Sequence, residues 1–378
     1  MCMPFSTVLF KHCFLWILTA MCPPTTPAPA PMSTSTSTTS GQVAFAGVNI
    51  AGFDFGCQID GTCDITQTFD VASTGDGIQQ MQHFVQDDGL NAFRLPVAWQ
   101  YLVNNQLGGP LDATNAAAYD KLVMGCAGVA KMCIIDIHNY ARYNGMIIAQ
   151  DPSGQGPTDA QYTSLLSQLA TKYANVSNVA FDIMNEPHDI PDINRWAQSS
   201  QAAVTAIRNA GATTQQILIP GTNFTSAQTF ATLSGPALLN VTNPDGSTTN
   251  LMFNVHRYLD SDGSGTHANC VDNNINDSFM PLANFLRTNN RVAMLTETGG
   301  GPTDASCMQL LCEQNDFINQ NSDVFKGVVS WAAGGFDTTY VITERPAETQ
   351  GANGTTFTDQ PLVTQCIVGK FRGASGIL

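Results

Sequence analysis

From about residue 42 onward, short apolar runs alternate with longer stretches whose apolar residues recur every three or four positions. The runs are "FAGVNIAG" (45–52), "AFRLPVAW" (92–99), "CIIDIHN" (133–139), "VAFDIMNE" (179–186), "ILIPGTN" (217–223), "LMFNVHRY" (251–258), "VAMLTETG" (292–299) and "GVVSWAA" (327–333). They are nearly continuous in apolar residues, as strands buried on both faces should be. Between them, "GIQQMQHFVQDDG" sets Ile78, Met81, Phe84 and Val85 at helical spacing and stops at Gly89. "QYTSLLSQLATKYAN", "INRWAQSSQAAVTAIRNAG", "PLANFLRTNN" and "CMQLLCEQNDFINQN" read as helices in the same way. Strands alternating with helices predict an α/β fold, a single (β/α)8 TIM barrel. A doubly wound open sheet has the same local pattern, because periodicity does not show closure. No Gly-x-Gly-x-x-Gly follows any run, so a dinucleotide fold lacks its main signature.

The first forty residues follow another pattern. An apolar run ending near Ala20 reads as a secretory signal over 1–20, too short for a membrane span. Residues 21–41 are rich in Pro, Ser and Thr and read as an extended, O-glycosylated linker. A catalytic domain is then expected over 42–378. Cysteine usage fits export. Of 11 Cys, Cys2, Cys13 and Cys22 lie in or beside the signal, which leaves eight: Cys57, Cys63, Cys126, Cys133, Cys270, Cys307, Cys312 and Cys366. Eight in an exported chain imply four disulfides, with about 105 connectivities open. No Cys-x-x-Cys occurs to favour zinc. Asn175, Asn223, Asn240, Asn276 and Asn353 open Asn-x-Ser/Thr sequons, which suits a glycoprotein. The formal charge of −15 argues against nucleic acid and against an anionic membrane as partners.

Polar residues gather at the C-terminal ends of the runs: Arg94, His138 with Asn139, Asn185 with Glu186, Asn223, His256 with Tyr258, Glu297 and Trp331. In a β/α barrel those ends meet at one mouth, where active sites lie. Residues two apart on a strand share a face, so His256 pairs with Tyr258 and Asp136 with His138. Asn185 and Glu186 are adjacent and would diverge, unless the end of the strand at Pro187 lets both reach the cleft. Two carboxyl groups across one mouth can hydrolyse a glycosidic bond, one as acid and one as nucleophile or base. A single Glu at a strand end is more often a solvated loop residue. Trp196 fits a helix core, and Trp99 fits either core or a sugar platform.

The ordered blocks "GVNIAGFDFGC", "FRLPVAWQYL", "DIHNYARYNG", "FDIMNEPHDI", "HRYLDSDGSGTH", "TETGGG" and "SWAAGGFDTTYV" resemble glycoside hydrolase family 5, and within it the fungal secreted endo-β-1,4-glucanases. The resemblance spans nearly all of residues 42 to 372. It implies Glu186 as general acid/base, protonated at rest, and Glu297 as an ionised nucleophile, with net retention. It implies Arg94, His138, Asn185, His256, Tyr258 and Trp331 as residues that hold the sugar or the nucleophile. It also implies the pairings Cys57–Cys63, Cys126–Cys133, Cys270–Cys307 and Cys312–Cys366, and no metal or organic cofactor. The expected partner is a β-glucan, acted on by a secreted monomer. Mannan, xyloglucan and mixed-linkage glucan are alternative substrates. A non-catalytic carbohydrate-binding protein is a rival of another class, disfavoured because both carboxylates and their supports are present. Neither Gly-x-Ser-x-Gly nor His-Glu-x-x-His occurs to suggest a serine or zinc hydrolase. No Cys- and aromatic-rich module precedes the linker, so soluble or amorphous glucan is expected to be cut better than crystalline cellulose.

Overall fold

The computed structural model describes residues 41–351 and 354–378. The expected signal, the linker up to residue 40, Cys2, Cys13, Cys22 and the sequon at Asn353 lie outside the described residues. All eight apolar runs form strands: β1 Phe45–Ala51, β2 Ala92–Val97, β3 Met132–Ile137, β4 Val179–Asp182, β5 Ile217–Pro220, β6 Leu251–His256, β7 Ala293–Glu297 and β8 Phe325–Gly334. They are parallel and close on themselves, each pairing with its sequence neighbours and β8 with β1. Closure resolves the choice between barrel and open sheet.

The side-chain period of two explains why the runs look uniformly apolar. Phe93, Leu95 and Val97 of β2, and Cys133, Ile135 and Ile137 of β3, belong to the outer layer under the helices. The alternate residues Ala92, Met132, Ile134, Ala180, Leu218, Met252, Met294 and Val329 form a separate apolar plug inside the ring. Higher on the same inward columns the residues turn polar: Asn49, Arg94, Asp136, Asp182, Asn254 and Thr296, all fully buried. The barrel thus has a dry floor, a charged middle layer and an open mouth.

Helices α1 Gly77–Gln86, α2 Ala113–Ala127, α3 Asp159–Tyr173, α4 Ile193–Asn209, α5 Met280–Thr288 and α6 Ala305–Gln320 cover the outside. The starts of α2, α3, α4 and α6 are capped by the residue types the physics favours. Asp112 accepts from Thr114 and Asn115 N–H, Thr158 forms a capping box with Gln161, and Asp304 accepts from Ser306 and Cys307 N–H. Trp196 and Trp99 are both core residues, with Trp196 Nε1 donating to Pro220 O at 2.9 Å. All four disulfides have the pairing the resemblance implies. Cys126–Cys133 ties α2 to β3, Cys270–Cys307 ties the loop after β6 to α6, and Cys312–Cys366 ties α6 to the C-terminal segment. Among the described residues no helix is long and apolar enough to cross a membrane.

Candidate active site

The mouth is organised around Arg94. Its position on β2 points it inward, and no solvent reaches it. Nη1 donates to Glu297 Oε1 at 2.6 Å and to Asn49 Oδ1 at 3.1 Å. Nε donates to Asp182 Oδ2 at 2.9 Å, and Nη2 donates to Asn185 Oδ1 at 2.8 Å and lies 3.0 Å from Asp136 Oδ2. Burial works against the guanidinium's charge, but Asp136, Asp182 and Glu297 more than offset this and raise its pKa. Burial likewise pushes Asp136 up to about 7 and Asp182 up to about 8, with Arg94 pulling both back.

Glu297 closes β7. Tyr258 OH donates to its Oε2 at 2.8 Å, so each carboxylate oxygen has a dedicated donor. An irregularity in the β6–β7 register sets His256 directly opposite Glu297. Glu186 lies across the mouth, with one oxygen within 4.8 Å of one oxygen of Glu297. The strand carrying it ends at Asp182, four residues sooner than the apolar run predicts. What turns Glu186 into the cleft is its own backbone at φ 39°, in the left-handed region, rather than Pro187. Neighbouring side chains that would diverge on a strand therefore both face the site. Burial, then the Glu297 charge, lifts the Glu186 carboxyl well above the usual range. Its one strong partner is His256 Nδ1, 2.8 Å from Oε1. Burial, then Arg94, holds the His256 imidazole well below its usual pKa, so the ring is neutral.

His138 Nδ1 is 2.7 Å from Asp136 Oδ2, which fixes the ring with its proton on Nδ1. Its Nε2 then accepts from Asn185 Nδ2 at 3.3 Å. Asn185 is thereby locked at both ends and keeps one N–H free. The Trp331 indole lies stacked near His138, with centroids 5.4 Å apart, and Trp331 Nε1 donates to Tyr340 OH at 3.2 Å. A cavity of about 410 Å³ opens beside these rings, lined by Asp54, Phe55, Gln67, His138, Tyr140, Trp331 and Phe336. The aromatic rings suit the C–H face of a sugar, and the polar groups between them suit its hydroxyls.

All eight residues singled out for the site converge here. Two other polar strand ends do not. Asn139 is buried and serves Trp99 N–H and Gln100, while Asn223 is exposed and donates to Thr229 Oγ1 at 3.1 Å. Asn49, Asp182, Asn254, Thr296, Tyr140 and Tyr340 were not anticipated. For Asp182, Asn254 and Thr296 the signal was available, because each is a polar residue on an inward column of an apolar strand.

Three groups of described residues bring metal-type ligands together: Glu186–His256–Glu297, His83–Asp88–Asp359 and Asp260–Asp262–His267. In the first, the ligand atoms are already spent on each other, Arg94 and Tyr258. In the second, His83 lies between Asp87 at 2.7 Å and Asp359 at 3.0 Å, and burial is outweighed by these carboxylates, which raise its pKa to about 9. A protonated imidazole there fills the place of a cation. In the third, Asp260 accepts from backbone N–H groups of its own loop.

A closed β/α barrel with two carboxyl groups facing each other beside an aromatic-walled cleft defines a glycoside hydrolase. Residues 48–336 match the Cellulase (glycosyl hydrolase family 5) profile. The chain is 58% identical over 340 residues to Endoglucanase EG-II of Hypocrea jecorina, covering 88% of this chain and 79% of that protein. It is 46% identical over 319 residues to the Manganese dependent endoglucanase Eg5A of Phanerodontia chrysosporium, covering 84% and 77%. The crystal structure of Cel5A (EG2) from Hypocrea jecorina superposes with a TM-score of 0.81 at 58% identity, over 86% of this chain and 98% of that one. The chain belongs to glycosyl hydrolase family 5.

Proposed function

We propose that this protein is an endo-acting β-1,4-glucanase that hydrolyses its substrate with net retention. The observation that carries the mechanism is the contrast within one carboxyl pair. One oxygen of each lies within 4.8 Å of the other, in keeping with the ~5–5.5 Å carboxyl separation of retaining enzymes. Glu297 takes the guanidinium and a phenol, whereas Glu186 is pushed towards its protonated form. In the first step a Glu297 oxygen bonds to the anomeric carbon as the C–O bond to the leaving chain breaks, and the Glu186 proton passes to that leaving oxygen. In the second, Glu186 takes a proton from water as the water oxygen bonds to the same carbon and releases Glu297. In this reading the free Asn185 N–H takes the sugar 2-hydroxyl, and Trp331 carries the ring at the cleavage point; the aromatic cleft supports it.

Both half-reactions need only protein groups, and Arg94 supplies the positive charge behind the nucleophile. Activity is therefore expected to survive exhaustive chelation. The catalytic domain is assigned to residues 42–378, in an exported monomer. The substrate assignment rests on the endoglucanases this chain is similar to. Incubation with carboxymethyl cellulose, mixed-linkage glucan and mannan tests it: new reducing ends from the two glucans but not mannan are expected. Release from mannan alone would overturn the substrate. An α-anomeric first product from a cello-oligosaccharide, read by NMR, would overturn retention.

A further inference from the structure

The hydrogen bonds behind Glu186 run in one direction, and the barrel's charged layer sets it. Arg94 Nε and Asn254 Nδ2 both donate to Asp182 Oδ2, at 2.9 and 2.8 Å. An oxygen that receives the guanidinium is an acceptor, so Asn254 must offer it the amide N–H and turn Oδ1 the other way. The Thr296 hydroxyl has one proton and donates it to that Oδ1. His256 Nε2, 2.9 Å from the Thr296 oxygen, has to donate in turn. In a neutral ring this leaves Nδ1 as a bare lone pair, 2.8 Å from Glu186 Oε1. Asp182, Asn254 and Thr296 are sealed from solvent and His256 is 2% exposed, so the sequence of donors is not easily reversed by water.

We propose that Asp182, Asn254 and Thr296 are positioning residues that lock His256 as its Nε2–H tautomer, so that the Nδ1 lone pair keeps the proton on Glu186. A neutral Glu186 donates to that lone pair, and an ionised one would face it lone pair to lone pair. The opposite tautomer would donate to the carboxylate and favour its charge. Other groups act on the same pair. Glu297, Asp136, Tyr140 and Tyr258 surround Glu186 together with Arg94, while Glu297 Oε2 (3.6 Å), Arg94 and His138 face His256. These act through charge, whereas the relay acts through the orientation of one ring. This inference rests on the acid/base role proposed above only for what the stored proton does. Once Glu186 has given it up, the bare Nδ1 makes the carboxylate a stronger base towards the incoming water.

The first readout needs no turnover. In ¹⁵N NMR of histidine-labelled free enzyme, His256 should show a protonated Nε2 and an unprotonated Nδ1. A protonated Nδ1 would overturn the relay. The second is the pH profile of kcat/KM. Thr296→Val removes the acceptor for Nε2–H and frees the ring to donate from Nδ1. Its alkaline limb should move down by about one pH unit, with about tenfold less activity at pH values above both limbs and little change well below them. Thr296→Ser should restore the limb. A folded Thr296→Val enzyme with an unmoved limb would also overturn the proposal. Should Thr296→Val fail to fold, the wild-type tautomer still decides. A wild type that cuts no glucan yet shows the Nε2–H tautomer would sink the functional reading and leave the relay standing.

Discussion

The two sides of the cleft present the same residue type in opposite settings. Both hydrogen bonds that Glu297 receives come from donors: Arg94 on one oxygen, Tyr258 on the other. Around Glu186 the strong partner is a neutral imidazole, and the side chain is 16% exposed against 6% for Glu297. One oxygen of each lies within 4.8 Å of the other, so neither distance nor residue type separates them. What separates them is whether the neighbours hold protons to give.

The largest test removes the negative charge. Glu297→Gln should cut kcat about 10⁴-fold or more, with the circular dichroism spectrum unchanged. Retained turnover would refute the nucleophile assignment. Glu186→Gln should cost about 10²–10⁴-fold on cello-oligosaccharides but far less on an aryl glycoside whose leaving group needs no proton. Equal losses on both would erase the contrast between the two sides. Arg94→Leu leaves Asp136, Asp182 and Glu297 buried without their cation. Urea unfolding should show a loss of about 3–5 kcal/mol. The smallest effect sharpens the comparison with a third carboxyl. Glu344 is buried with one donor, Ser330 Oγ at 2.7 Å, and burial pushes it up to about 8. Its folded pKa is raised, so its contribution is full below about pH 4.3 and is lost as the pH rises towards 8. Glu344→Gln has no such loss, so its Tm should exceed the wild type's by about 2–4 °C at pH 8 and by little at pH 4.5. An equal gap at both pH values would show that burial alone does not set this group.

Much of this was legible in the chain. The eight apolar runs became the eight strands because burial on both faces leaves no room for alternation. The residues at their ends converge because parallel strands in a ring share one rim. The end of β4 was not legible. A run of "VAFDIMNE" gives no sign that pairing stops at Asp182, since Ile183 and Met184 are as apolar and as buried as strand residues. The left-handed turn at Glu186 is a property of the closed loop and leaves no mark in composition. Asp182, Asn254 and Thr296 stand out as polar residues inside apolar runs, but their roles are not legible there. Only after closure does an inward polar residue acquire partners from strands far away in sequence. Asn223 misled for the opposite reason: its run stops pairing at Pro220, and the residue turns out to solvent.

Ring closure carries one more consequence. Phe45 of β1 pairs with Gly327 of β8, joining nearly the whole length of the barrel domain in a single seam. A nascent chain that has already exposed Glu186 and Glu297 still lacks the strand that bears Trp331 and completes the ring. Synthesis can therefore run past both carboxyls with nothing yet able to cut. The last barrel strand to leave the ribosome is the one that turns a set of residues into an enzyme.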